Sequence, residues 1–182
     1  ALIEEALSDA EKGDYLVCQL EISQKIVRYA LQRAKEKGMI TVLNPAPAAV
    51  LEEGILESCD YFIPNQSEAE FYTGIYPKEE ASAKQCAEAL AAKGVKNVVV
   101  TMGAEGSAYV GGGKYVRVDS FKAEAVDTTA AGDTYVGALV TRLSEGADIE
   151  EAMTFASKAS AITVTRRGAQ QSIPLRREVE QN

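Results

Sequence analysis

Short apolar runs alternate with segments of helical periodicity along the chain, and this alternation is the strongest constraint on its fold. The apolar runs are typical of buried strands, and they occur at residues 14–20, 39–43, 61–64 and 97–101. Two further runs, residues 107–110 and 114–118, flank consecutive glycines and predict a hairpin. Strands that alternate with helices predict a largely parallel sheet covered on both faces.

The helical segments are predicted from apolar residues that recur every three or four positions. One predicted helix ends at Gly38 and places on one face Ile22, Ile26, Tyr29, Ala30 and Ala34. Another ends at Gly94 and shows the same spacing at Ala83, Cys86, Ala87, Leu90 and Ala91. Residues 130–143 and 149–163 predict two more helices. With 182 residues and no repeat or linker, we expect one α/β domain over residues 1–182.

Residues 125–139 read AVDTTAAGDTYVGAL and place very small residues directly before a helix. Ala130, Ala131 and Gly132 let a ligand approach the backbone, and the free amides of a helix start attract anions such as phosphate. Asp133 is unusual there, because its charge repels a phosphate unless the carboxylate takes a proton from the attacking group. The alternative is that Asp127 or Asp133 only caps the helix.

Composition excludes several classes of function. The net charge is −8 with no basic stripe, and no apolar run reaches the length of a membrane span. We therefore expect no nucleic-acid partner, no membrane association and a cytoplasmic location. Cys18, Cys59 and Cys86 are isolated and odd in number, which predicts free thiols in a reducing compartment. Because the sequence has no histidine, acid–base chemistry must use carboxylates, lysine or tyrosine.

Polar residues that directly follow strands are candidates for ligand contacts, because ligands collect at the carboxyl ends of parallel strands. Glu21 follows the first strand, where it either accepts hydrogen bonds from a polyol or simply starts a helix. Asn65 and Glu68 lie three residues apart at a helix start. They either cap that helix or help to hold hydrated Mg²⁺ and nucleotide phosphates. Residues 101–106 (TMGAEG) follow the fourth strand and, taken alone, are typical of an ordinary turn.

Segments in chain order resemble motifs of the ribokinase-like carbohydrate kinase family: LNPAPA, PNQSEAE, TMGAEG, DTTAAGD and TRRGAQ. DTTAAGD and TRRGAQ are the most specific of them, although the family more often has glycine at the position of Ala130. The resemblance covers essentially the whole chain and implies a three-layer α/β/α Rossmann-like fold with a mainly parallel sheet. Family members also carry N-terminal strands, a small lid and a double-glycine sugar-binding stretch that this sequence lacks. We therefore expect the C-terminal portion of a longer protein, in keeping with a start at Ala1.

The resemblance also implies a role for each matching position. Asp133 would be the general base, with Glu21 beside it as a sugar contact, and the amides of the anion hole would come from Ala130, Ala131 and Gly132. The nucleotide would be bound by Asn65, Glu68, Thr101, Gly103, Gly106, Gly132 and Ser157. Glu68 would hold Mg²⁺ through water, and a monovalent cation would lie among Asp127, Thr129, Thr163, Arg166, Gly168 and Ser172.

The activity implied by the resemblance is transfer of the γ-phosphoryl group of ATP to the 5-hydroxyl of D-ribose. Mg²⁺ and K⁺ would be the metal cofactors, ATP the co-substrate and a homodimer the state of the full-length protein. One alternative is a kinase for another sugar or a nucleoside, because most of the sugar pocket would lie in the absent portion. Another is a nucleotide-binding fragment without catalytic activity, and we expect the chain alone to be inactive.

Overall fold

A six-stranded sheet forms the centre of the computed structural model, which describes residues 2–181. The strands lie side by side in chain order: β1 (Tyr15–Cys18), β2 (Ile40–Leu43), β3 (Tyr61–Phe62), β4 (Asn97–Thr101), β5 (Ser107–Gly111) and β6 (Lys114–Val118). β1 to β4 pair in parallel, whereas β5 and β6 form an antiparallel hairpin that continues the sheet from β4. The predicted mainly parallel sheet and the predicted hairpin are both confirmed.

Helices cover both faces of this sheet. They are α1 (Leu2–Ala6), α2 (Gln24–Glu36), α3 (Gln66–Thr73), α4 (Glu80–Ala91), α5 (Ala131–Ser144), α6 (Ile149–Thr163) and α7 (Arg176–Glu180). α2, α3 and α4 pack on one face through a core that includes Leu43 and Phe62. α5 and α6 pack on the other face through a core that includes Val42 and Ile63. Because neighbouring residues of a strand point to opposite faces, this alternation produces the three layers that were predicted.

The inward face of α2 differs from the prediction. Val27, Ala30, Leu31 and Ala34 are buried, whereas Ile26 is 47% exposed and Tyr29 is 44% exposed. The buried set has the spacing i, i+3, i+4 and i+7 of a single helical stripe. The prediction was correct for Ala30 and Ala34 and wrong for Ile26 and Tyr29, in whose place Val27 and Leu31 are buried.

Ile22 and Tyr29 show why the predicted face of α2 was partly wrong. The exposed Ile22 lies before the first turn of α2, so it belongs to no face of the helix. The Tyr29 hydroxyl donates a hydrogen bond of 2.5 Å to the Glu4 carboxylate, which faces Tyr29 toward α1 rather than toward the sheet.

The strand ends also differ slightly from the prediction. β1 is shorter than residues 14–20, and β3 stops before Pro64, which has no amide hydrogen to donate to a neighbouring strand. The short helix α7 was not predicted. Cys59 and Cys86 are buried free thiols, and Cys18 is a half-buried free thiol. No helix between residues 2 and 181 is long and apolar enough to cross a membrane.

Candidate active site

The first turn of α5 leaves backbone amides open, as the predicted anion hole requires. Ala130 precedes the helix in the left-handed conformation, with φ of 61°, and no side chain caps this end. The amide of Ala131 donates to the Thr128 carbonyl at 3.2 Å, so the prediction that this amide belongs to the anion hole is not met. Within residues 2–181 no acceptor meets the amides of Gly132 and Asp133. These two amides, together with the helix dipole, make a positive site that suits a phosphate oxygen.

The carboxylate of Asp133 is exposed at this helix start and has one hydrogen-bond partner from a distant part of the chain. The Gln19 side-chain amide donates to Asp133 Oδ1 at 2.9 Å and to Asn44 Oδ1 at 2.9 Å. Asn44 in turn donates to the Ile63 carbonyl at 2.9 Å. Sequence reasoning missed Gln19, although its position directly after β1 places it at the edge where ligands bind.

Glu21 lies in the loop after β1, two residues beyond Gln19. Its side chain is exposed, and among the described residues no hydrogen bond joins it to Asp133. The Leu20 amide donates to the Ala46 carbonyl at 2.9 Å, which holds the loop against the NPAPA segment. Glu21 and Asp133 are therefore both exposed at this edge of the sheet, and the sugar-binding role of Glu21 stays a prediction.

A cleft of about 550 Å³ opens between the end of β4 and the first turn of α5. It is lined by most of the predicted nucleotide-binding residues, namely Thr101, Gly103, Gly106, Gly132 and Ser157. Sequence reasoning missed the loop of residues 120–125, which forms another wall of the cleft. In this loop the Phe121 ring lies 5.4 Å from the Lys158 ammonium, a cation–π distance. Asn65 and Glu68 are not part of the cleft lining.

Gly106 has a structural reason to be glycine, independent of any ligand. Its φ is 87°, and a Cβ atom there would lie 2.1 Å from the Val118 carbonyl oxygen. No side chain fits so close to a backbone atom, so only glycine allows residues 103–106 to turn over the end of β6.

Asn65 and Glu68 form a helix cap, which was one of the two roles predicted for this pair. The Asn65 Oδ1 atom accepts from the Glu68 amide at 2.9 Å, and Glu68 Oε2 accepts from the Asn65 amide at 2.8 Å. Glu68 Oε1 accepts from the Asn65 side-chain amide at 2.9 Å. Burial raises the pKa of Glu68, which opposes its ionisation. Both carboxylate oxygens are thus engaged, an arrangement compatible with a metal ion held through water rather than by direct ligation.

Asp127 ties the loop before α5 to the loop of residues 163–172. Its Oδ1 accepts from the Thr129 amide at 2.9 Å, and its Oδ2 accepts from the Gly168 amide at 3.0 Å. The Thr129 side chain and then the Gly168 and Thr129 amides lower the pKa of Asp127 to about 2. Asp127 is therefore a fixed negative charge beside the anion hole, close to two other residues of the predicted cation site.

The side chains of the other predicted cation residues are already engaged. The buried Thr163 hydroxyl donates to the Ala159 carbonyl at 3.0 Å and lies 3.2 Å from Thr134 Oγ1, from which it can accept. The buried Ser172 hydroxyl donates to the Ala169 carbonyl at 2.6 Å, and Arg166 pairs with Glu178 at 2.6 Å. The backbone carbonyls of these residues remain available as cation ligands. Within residues 2–181 no cluster of three acidic or cysteine side chains forms a metal site.

Comparison with known proteins identifies the family. The family model described as pfkB family carbohydrate kinase matches residues 2–176. The chain belongs to the pfkB family of carbohydrate kinases. A ribokinase of Staphylococcus aureus is similar to this chain, with 41% identity over 93% of this chain and 56% of its own length.

Two further relatives place the chain within the pfkB family. A deoxyribokinase of Salmonella typhi is 35% identical over 94% of this chain and 56% of its own length. A structure of Arabidopsis thaliana ribokinase complexed with ribose and ATP matches 92% of this chain and 55% of that chain, with a TM-score of 0.87 and 30% identity. The chain thus has the ribokinase-type α/β fold and spans about half the length of the pfkB relatives that it matches.

Proposed function

We propose that this chain provides the nucleotide site and the general base of an ATP-dependent kinase that phosphorylates D-ribose at its 5-hydroxyl. The observation that carries the proposal is the position of Asp133, an exposed carboxylate on the same helix turn as the two unpartnered amides, one of which belongs to Gly132 in the wall of the cleft. Similarity to ribokinases at 41% identity supports ribose as the sugar.

In this proposal, each group performs one task in phosphoryl transfer. Asp133 accepts the proton of the sugar hydroxyl as that oxygen attacks the γ-phosphorus. The amides of Gly132 and Asp133 neutralise charge on the transferring phosphoryl group, as an oxyanion hole does. The cleft positions the rest of the nucleotide, because phosphoryl transfer depends on positioning and charge stabilisation.

The described residues offer one carboxylate suited to each of the two expected metal ions. The engaged Glu68 carboxylate suits Mg²⁺ held through water, and the ionised Asp127 with nearby backbone carbonyls suits K⁺. When bound, Mg²⁺ would neutralise charge on the ATP phosphates, and K⁺ would support the loop that precedes α5. Activity should rise when K⁺ replaces Na⁺ or Tris at constant ionic strength, and a flat response would contradict the K⁺ proposal.

Deoxyribose is the second candidate sugar, because a deoxyribokinase is 35% identical over 94% of the chain. Glu21 and Asp133 are the only predicted sugar contacts, so few of the described residues are available to recognise the sugar 2-hydroxyl. The choice between the two sugars therefore rests on measured specificity.

The decisive experiment is an ADP-release assay of the whole protein that carries this sequence, with ATP and a panel of alcohols. The panel contains D-ribose, 2-deoxy-D-ribose, fructose, a nucleoside and 5-deoxy-D-ribose as the control that lacks the reacting hydroxyl. We expect the highest kcat/KM with ribose and no product from 5-deoxy-D-ribose. Preference for deoxyribose would select the second candidate. Nucleotide binding without phosphoryl transfer to any alcohol would favour a non-catalytic nucleotide-binding protein.

A further inference from the structure

A continuous line of hydrogen bonds connects the sheet to the carboxylate of Asp133. The Ile63 carbonyl, next to β3, accepts from Asn44 Nδ2 at 2.9 Å. Asn44 Oδ1 accepts from Gln19 Nε2 at 2.9 Å, and the same Gln19 nitrogen donates to Asp133 Oδ1 at 2.9 Å. The loops after β1 and β2 thereby hold the side chain of Asp133, which belongs to α5, a helix that follows all six strands in the sequence.

The direction of every bond in this line is fixed by its first member. A backbone carbonyl can only accept, so Asn44 must turn its nitrogen to Ile63 and its oxygen to Gln19. Gln19 must then present its nitrogen, whose second hydrogen points to Asp133. If the Gln19 amide were turned over, its oxygen would face both the Asn44 oxygen and the Asp133 carboxylate, which is unfavourable at each contact.

We propose that Gln19, oriented by Asn44, is a positioning residue that holds the Asp133 carboxylate for proton transfer. This inference rests on the proposed function, in which Asp133 is the general base. With Oδ1 bound to Gln19, Oδ2 is the atom that faces the sugar hydroxyl. The hydroxyl O–H bond breaks and its proton passes to Oδ2, while the oxygen bonds to the γ-phosphorus and the bond from that phosphorus to ADP breaks.

Positioning matters at this site because the Asp133 side chain is exposed and would otherwise sample several rotamers. The Gln19 amide selects one of them without touching the nucleotide cleft, whose lining does not include Gln19. Loss of Gln19 should therefore slow the chemical step and leave substrate binding almost unchanged. A misplaced reacting group can lower a rate by about 100-fold.

The first variant is Gln19→Met, which keeps the length of the side chain and removes the donor. We expect kcat to fall by roughly 10- to 100-fold, with the KM values for ATP and sugar changed by less than about two-fold. The matched control is Gln24→Met, because the Gln24 amide bonds to Val50 and Glu52 rather than to the site. The control should keep the wild-type kcat.

A double-mutant cycle with Asp133→Asn separates positioning from any other role. Once the base is removed, Gln19→Met should cause no further loss of kcat. Additive losses would show that Gln19 acts independently of Asp133 and would overturn the proposal. If Asp133→Asn is slow but Gln19→Met is as fast as wild type, the positioning proposal is wrong and the proposed function stands. If Asp133→Asn itself keeps full kcat, the proposed general base is wrong.

Thermal melting shows whether the variants fold. If Gln19→Met is unfolded, Gln19→Glu replaces it in the same cycle, because it keeps the shape of Gln19 and places an oxygen against the Asp133 carboxylate. Gln19→Glu should lower kcat at least as much as Gln19→Met, and a wild-type kcat would overturn the proposal. Asn44→Leu should lower kcat less than Gln19→Met, since it frees the Gln19 amide to rotate without removing it.

Discussion

The helices α3 and α5 differ in the amide of their third residue, which has an acceptor in α3 and none among the described residues in α5. In α3, Asn65 accepts from the amide of Glu68, and the Glu68 carboxylate accepts from the Asn65 amide in return. In α5, Ala130 offers no side-chain acceptor, and within residues 2–181 the amides of Gly132 and Asp133 have none. The third residue of each helix is acidic, but Glu68 folds back onto its own helix whereas Asp133 points outward to Gln19.

This difference separates a helix start with a capped third amide from one that leaves it open, as the proposed anion hole requires. The reciprocal cap of α3 satisfies the amide of its third residue, Glu68, and such caps stabilise a protein by about 1 kcal/mol. The start of α5 gives up that stabilisation, and a left-handed alanine adds a strain of roughly 1–2 kcal/mol. Strain of this kind is concentrated at functional sites, where it prepares the backbone for binding.

The largest expected effect is a loss of turnover when Asp133, the exposed acidic residue in the first turn of α5, is replaced. Asp133→Asn keeps the helix start and the Gln19 contact but removes the base. We expect kcat to fall by about 100-fold or more, with ATP affinity little changed, because a general base acts only in the chemical step. Coupled ADP-release kinetics and isothermal titration with ATP measure the two quantities. A kcat within a few-fold of wild type would mean that Asp133 only shapes the helix start.

The next effect is on stability, at the cap of α3. Asn65→Ala removes the acceptor for one amide and a donor to the buried Glu68 carboxylate, so unfolding should become easier by about 2 kcal/mol. The control is Asp148→Ala at the start of α6, where Asp148 accepts from the Glu151 amide. That simple cap should cost about 1 kcal/mol. Urea unfolding measures both, and equal losses would show that the reciprocal bonds of Glu68 add nothing.

A smaller effect, of opposite sign, is expected at the strained residue of α5. Ala130→Gly should stabilise the protein by about 1 kcal/mol, because glycine adopts a positive φ without steric cost. Ala131→Gly is the matched control, since Ala131 is the first residue of α5 with ordinary helical geometry, and glycine there should not stabilise the protein. Thermal melting tests the pair. If both variants lower the melting temperature, the alanine at 130 is not strained.

Much of the fold could be predicted because hydrophobic spacing reports burial directly. The strand Asn97–Thr101 has the bounds that its β-branched run predicts. The stripe on α4 was also predicted correctly at Ala83, Cys86, Ala87 and Leu90, all of which are buried. The face of α2 was predicted only in part, because Ile26 and Tyr29 border the buried stripe and single apolar residues are common on a protein surface.

The candidate site shows a sharper limit. The sequence indicated Asp133 because small residues and an acidic residue lie next to one another at the start of a predicted helix. Gln19 carried no such signal, since its partner Asp133 is 114 positions away in the sequence. The positive φ of Ala130 was equally hidden, because alanine is among the residues that normally avoid this conformation.

The smallest effect concerns pH, at the carboxylate that precedes α5. The pKa of Asp127 is lowered from 3.8 to about 2 by the Thr129 side chain and by the Gly168 and Thr129 amides. Because the folded-state pKa lies below the unfolded value, the stabilisation is present above pH 3.8 and is lost as the pH falls toward 2. The pKa of Glu68 is raised by burial, so its contribution to stability instead decreases as the pH rises through the folded value.

Because the contributions of Asp127 and Glu68 to stability change with pH in opposite directions, measurements of stability over a range of pH distinguish the start of α5 from that of α3. Asp127→Asn should flatten the loss of stability between pH 3.8 and about 2, and Thr129→Val should flatten it partly, because the amide donors remain. Glu68→Gln should instead remove a decrease in stability that occurs as the pH rises above 4.5, the ordinary pKa of a glutamate. Urea unfolding at each pH gives all three slopes. If Asp127→Asn leaves the acid slope unchanged, the bonds from Thr129 and Gly168 do not favour the ionised form, and Asp127 is not the fixed charge that a cation beside the anion hole requires.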